Sequence, residues 1–253
     1  MSESDLSTSS GPRGIQSIEV GGQLLLALVH EGRPMPLKEL ALAAGMPPAK
    51  AHPYLVSFIK LGLVEQEGVS GRYGLGPLAL QLGLISLQQY EPVRLATPVI
   101  EELALQLGHT VAIAVWGNRG PTIVRVAEAP SPVHISMRHG TVMSPSGTAS
   151  GRLFAAHLPK ALVKAALHGE AMPAVELLEE VRRHGMATSK DGVVHGVSAL
   201  AAPVFDDSGR LVLSLTAIGP SGSFDLRLGG SLAPALRAAG EQLSRQLGWK
   251  PAG

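Results

Sequence analysis

Over the first third of the chain, apolar side chains recur at helical spacing and break at glycine and proline. Ile18, Leu25 and Leu28, with Leu24 beside them, form one stripe that Gly32 stops before Pro34. A second short helix is predicted from about Pro36 to Ala44, with Leu37, Leu40 and Ala44 inward and Gly45 as its stop. Proline suits its first turn, where no amide hydrogen bond is lost. Pro47 or Pro48 opens a third helix whose Tyr54, Leu55, Phe58, Ile59 and Leu61 supply a core face, and Gly62 ends it. Two short extended pieces follow, 63–66 and 72–75, joined by a turn holding Gly68 and Gly71. Helix, helix, turn, helix and hairpin is the order of a winged helix-turn-helix.

Beyond a hinge at Gly74-Leu75-Gly76-Pro77 the pattern changes. Leu78, Leu82 and Ile85 lie on one face of a predicted helix, and Leu80, Leu84 and Leu87 lie on the opposite face. No Asp, Glu, Lys or Arg occurs between Pro77 and Tyr90. A helix apolar on both sides is explained by packing on its own domain and on a partner subunit, or by burial within one chain. From Val93 a further helix carries Leu95, Ile100, Leu103 and Leu107 and ends at Gly108. Strands are predicted at 110–116, 121–127 and around 133–137, then at 193–205 and 211–219, the last two joined by Asp206-Asp207-Ser208-Gly209. Helices are expected at 151–157, 161–167, 174–184 and about 232–247. The expected organisation is a disordered arm at 1–14, a winged domain at 15–76, a linker and dimerisation helix at 77–90 and a sensing domain at 91–250. Hairpins with interspersed helices make the fold class α+β, with an antiparallel sheet in the C-terminal domain.

Composition narrows this picture. The chain has 253 residues, 45% hydrophobic and 16% charged, so a sizeable core is available. No apolar run approaches the ~18 residues that span a bilayer, and the Ser-rich acidic start does not resemble a secretory signal. A cytoplasmic protein is expected. Cysteine is absent, which excludes disulfides and thiolate zinc sites. Net charge is +1, and over residues 1–75 six Lys/Arg face seven Asp/Glu. Any DNA binding must therefore come from motif geometry rather than from the field of the domain.

Residues early in the third helix are the ones that would reach base edges: Ala49, Lys50 and His52. Tyr54 could donate to a phosphate or belong to the core, Lys60 is a phosphate contact or a solvated charge, and Arg72 sits on the wing. The loop Ser146-Gly147-Thr148-Ala149-Ser150-Gly151 brings small side chains and free amides to a helix start, where unpaired N–H groups favour anions. A carboxylate is the expected occupant. Period-two alternation along 211–218 puts Ser214, Thr216 and Ile218 on one face and Leu213, Leu215 and Ala217 on the other. Trp116, Met137, Met143 and His195 are candidate pocket walls, with ordinary core packing as the competing reading.

The run Leu37-Lys38-Glu39-Leu40-Ala41, then Gly45-Met46-Pro47, Lys50-Ala51-His52, Tyr54-Leu55, Leu61-Gly62-Leu63-Val64 and Gly71-Arg72-Tyr73-Gly74-Leu75-Gly76, closely resembles the isocitrate-lyase-regulator (IclR) family of bacterial transcription factors. Residues 147–155, Ala199-Leu200-Ala201-Ala202-Pro203-Val204 and 214–220 are similar to that family's effector-domain signatures, in the right order. The resemblance covers 16–248. It implies a GAF-like effector domain, with effector-facing positions at Ala149, Ser150, Ser189, Ala199, Thr216 and Ile218. It also implies double-stranded DNA with a pseudo-palindromic operator as partner, a small carboxylate as effector, with aromatic acids among the candidates, and a homodimer or dimer of dimers. In that pattern an Arg usually follows the His of the third helix, and here Pro53 stands in its place. Proline in a helix interior costs ~3 kcal/mol, so the helix is expected to bend or restart near His52.

Catalytic readings are weaker. His134, His139 and His195 have no carboxylate at ligand-like spacing, and Ser144 and Ser150 have no evident base. The glycines at 219–222 and 229–230 form no phosphate loop. No enzyme activity, metal or cofactor is expected. The competing class is an enzyme or metabolite-binding module that uses its winged domain only to oligomerise.

Overall fold

The computed structural model describes residues 14–130 and 135–250, with backbone alone for 87–89. Residues 1–13 of the expected arm, Val133 and His134 lie outside the described residues. The chain divides into two compact units, 1–87 and 88–253.

The first unit contains α1 (Gln16–Glu31), α2 (Leu37–Ala43), α3 (Pro48–Leu61), the hairpin β1 (Val64–Gln66) and β2 (Tyr73–Leu75), and most of α4 (Pro77–Gln89). Its core gathers Leu24, Leu28, Met35, Leu40, Ala51, Leu55, Val64 and Tyr73. Met35 exchanges backbone hydrogen bonds with Tyr73 at 2.9 and 2.8 Å, which ties the α1–α2 connection to the wing. Gly21 lets α1 approach α3: a Cβ there would stand 2.8 Å from Tyr54 Cδ1. Gly62 ends α3 at φ 77°, where an L side chain would be strained.

Three expectations are corrected in this unit. Ile18 is 68% exposed, and Ile59 and Leu61 are 37% and 60% exposed, so none of them belongs to the core. Ala51 and Leu55, four apart, carry the buried face of α3 instead. Finally, α3 runs as one α-helix through Pro53, which excludes the restart near His52 and leaves a bend as the form the expectation retains. Pro53 removes the bond to the Ala49 carbonyl, but both residues face solvent, so water can serve that acceptor.

The second unit is a five-stranded antiparallel sheet in the order β4-β3-β7-β6-β5, built from β3 (Thr110–Gly117), β4 (Gly120–Ala127), β5 (Ala187–Lys190), β6 (Val197–Phe205) and β7 (Leu211–Pro220). Helices α5 (Glu91–Leu107) and α9 (Ala233–Gln246) cover one face. On the other lies α6 (Ala149–His157), which packs on α7 (Lys160–Ala166) and α8 (Val175–His184). Residue size alternates with the faces. Ile113, Leu200, Leu213 and Leu215 point one way, while Ala112, Ala114, Ala199, Ala201, Ser214 and Thr216 point toward α6. Small residues on the α6 side leave room between helix and sheet.

The boundaries differ from the sequence pattern in two places. Residues 193–196 form a loop, not the start of a strand, and β5 precedes that loop. The cause is Asp191, at φ 51°, whose Oδ1 accepts from Gly196 N (2.7 Å) and Ser221 Oγ (2.8 Å), closing 191–196 into a turn. Residues 135–137 pair with no strand. The sheet edge at β4 is met instead by 140–143, through Gly140 N to Ile123 O and Met143 N to Pro121 O, both 2.7 Å.

Candidate functional site

In the second unit a cavity of about 420 Å³ opens between the small-residue face of the sheet, the start of α6, segment 135–143 and loop 191–196. Thr148 caps α6, its Oγ1 accepting from Gly151 N at 3.0 Å, and Thr148, Ala149 and Ser150 face the cavity. At its floor Ser150 Oγ and Thr216 Oγ1 are 2.6 Å apart, and both residues are buried. Most of the remaining wall is apolar, from Ile135, Met137, Met143, Val197 and Ile218. Among the described residues one charged side chain lines it, the exposed Arg138. Arg152 lies behind the wall as a strut, donating to Ser146 O (2.9 Å) and Thr188 O (2.7 Å).

Two anchored loops frame the mouth. Ser144 and Ser146 both donate to Glu170 Oε2, the latter at 2.6 Å, and Ser144 Oγ accepts from Gly147 N at 2.7 Å. Burial would raise the Glu170 carboxyl, but the bonds from Ser144 and Ser146 outweigh it and hold the group below its ordinary value. Loop 191–196 meets this wall backbone to backbone, so that a Cβ on Gly192 would overlap the Gly147 carbonyl.

In the first unit the surface of α3 presents Ala49, Lys50, His52, Pro53, Val56 and Lys60 to solvent. Tyr54 is half-buried against Gly21 of α1, which makes it chiefly a packing residue. Arg72 is exposed on the wing, with its guanidinium 3.5 Å from Pro34 O.

Residues 17–68 match the IclR helix-turn-helix domain, and residues 85–245 match the bacterial transcriptional regulator IclR C-terminal domain. The chain belongs to the IclR family. It is a DNA-binding transcriptional regulator with the α+β fold that its sequence implied. A glycerol operon regulatory protein of Streptomyces griseus is 31% identical over 252 residues, covering 93% of this chain and 98% of that protein. The crystal structure of Pseudomonas aeruginosa HmgR is 35% identical with a TM-score of 0.62, covering 94% and 100%. An IclR homologue of Microbacterium hydrocarbonoxydans, crystallised with 4-hydroxybenzoate, is 18% identical with a TM-score of 0.71, covering 91% and 98%.

Within this IclR-type framework, the structure brings together most of the pocket residues expected from sequence. Ala149, Ser150, Ser189, Ala199, Thr216, Ile218, Met137 and Met143 all line the cavity. Trp116 and His195 do not. The Trp116 ring packs on Phe154 at 5.7 Å, and His195 sits exposed in the turn that Asp191 closes. Sequence reasoning missed Arg138, Val193 and Val194. A turn signal for the valines was present, because Asp191-Gly192 and Gly196 bracket them. Nothing periodic marks Arg138, which lies on an irregular segment.

Proposed function

We propose that the 420 Å³ cavity binds a small organic acid with an apolar body, aromatic acids foremost, and that occupancy controls DNA binding by α3 and the wing. The observation that carries this reading is the cavity's division into an apolar wall and a few converging polar groups: Ser150, Thr216, the capped start of α6 and Arg138. Apolar surface would hold the body of the ligand, and the helix N-terminus or Arg138 its carboxylate. The complex of the related structure with 4-hydroxybenzoate supports the same chemistry. Resemblance to glycerol operon regulators offers a polyol as second reading, but an apolar wall gives a polyol little to bind.

Lys50, His52 and Arg72, together with Ala49, are proposed as the contacts to an operator, with Lys60 at the helix end and Tyr54 supporting the helix from behind. The exposed leucines of α4 suit a homodimer that would present two such readers to a pseudo-palindrome. A module that uses its winged domain only to oligomerise would bind random DNA equally well after Lys50→Ala and Arg72→Ala.

The decisive measurement is thermal stability with 4-hydroxybenzoate, benzoate, short aliphatic acids and glycerol, at ligand up to millimolar levels. A selective native-state ligand raises stability by about 2.7 kcal/mol at a hundred times its Kd. Stabilisation by the aromatic acids that Thr216→Val weakens is the expected result. Stabilisation by glycerol alone would transfer the assignment to polyols.

A further inference from the structure

The outward surface of α3 has an unusual centre line. Ala49, Pro53, Val56 and Lys60 are spaced by four, three and four residues, so they share one helical face, opposite the buried Ala51 and Leu55. Three of the four are apolar and all are exposed, Val56 at 37%. Ser57 beside them is already engaged, its hydroxyl donating to Pro53 O at 3.1 Å.

Neither Pro53 nor Val56 helps the helix that carries it. Both rank below alanine as helix formers, proline by about 3 kcal/mol, and neither belongs to the hydrophobic core. Side chains that break the local rule without a packing gain are expected where function requires them. In a major groove, a short apolar side chain finds its chemical match in the C5-methyl group of thymine. The nearly balanced charge of residues 1–75 agrees with this, because it leaves little sequence-independent attraction to phosphate.

We propose that α3 reads its operator largely through thymine methyl groups, with Ala49, Pro53 and Val56 as the reading surface and Lys50 as the adjoining polar contact. The proposal rests on the assignment of α3 as the groove-reading helix. It predicts half-sites whose central positions carry thymines rather than guanines paired to arginine.

The test uses the full-length chain and duplexes it selects from a random-sequence pool, remade with uracil in place of thymine inside the half-sites. This removes the methyl groups and keeps base pairing. Affinity should fall about fourfold for each contacted methyl, as one buried methylene-sized group is worth. Val56→Ala, at an exposed position, should weaken binding to the thymine duplex several times more than binding to the uracil duplex. Equal wild-type affinity for both duplexes, or equal losses from Val56→Ala on both, overturns the methyl reading. In that case Lys50→Ala shows what remains: weaker binding to both duplexes keeps α3 as the reader. A Lys50→Ala protein that binds both as the wild type does would remove the reader assignment as well, and a selection that enriches no motif does the same.

Discussion

His157 is the residue most at odds with its surroundings. Its Nε2 is buried and finds no hydrogen-bond partner among the described residues, while its ring meets Phe205 edge-on at 5.2 Å. Burial first, and the nearby Arg182 second, hold the imidazole below its ordinary pKa. The unfolded chain therefore takes up a proton more readily than the folded one. Stability from this group is complete above about pH 6.5, the unfolded value, and is lost as pH falls below it. Melting temperatures measured from pH 7.5 to 5.5 should decline, and His157→Phe should flatten that decline. An identical slope in the variant would place the acid sensitivity elsewhere, with His109, also lowered by burial, next in line.

Elements with a strong period were legible, and elements set by a single side chain were not. The helices α1 to α3 and the β1–β2 wing follow from apolar spacing and from glycines at their ends. The alternation along β7 correctly separated Thr216 and Ile218 from Leu213 and Leu215. The sequence pattern extends a strand over 193–196, which the structure folds as loop, because Val193 and Val194 look like β-formers. What bends the chain there is the Asp191 carboxylate held by Gly196 and Ser221, a contact 30 residues away in sequence. Exposure of Ile18, Ile59 and Leu61 was equally invisible, since an apolar letter does not say which side of a helix finds a partner. The seam between Gly147 and Gly192 yields a prediction at this scale. Gly192→Ala forces backbone apart at the cavity mouth, so it should lower the melting temperature by several degrees and abolish stabilisation by any ligand of the 420 Å³ cavity. A variant that melts and binds as the wild type does would mean that the seam yields at no cost.

For the whole molecule, α4 poses the sharpest question. Leu80, Leu82, Leu84 and Ile85 are 65%, 54%, 50% and 43% exposed on a helix without a charged residue. Apolar exposure on that scale is costly unless covered, and a second copy of the chain offers the same surface in return. Leu82→Glu with Ile85→Glu should convert a dimer to a monomer in light scattering and weaken operator binding by far more than either half-site contact alone. A wild-type chain that is already monomeric at micromolar concentration would rule out α4 as a self-association surface.

The strand order carries a further consequence, in time rather than in space. The core of the first unit is closed by residues no later than Tyr73, whereas β7, the central strand that joins β3 to β6, begins only at Leu211. Chains are synthesised at roughly 5–20 residues per second, so on the order of ten seconds separates the two events on the ribosome. A newly made regulator thus has every residue of its helix-turn-helix core before the sheet of its second unit can form, and the ligand control proposed for that sheet becomes possible only afterwards.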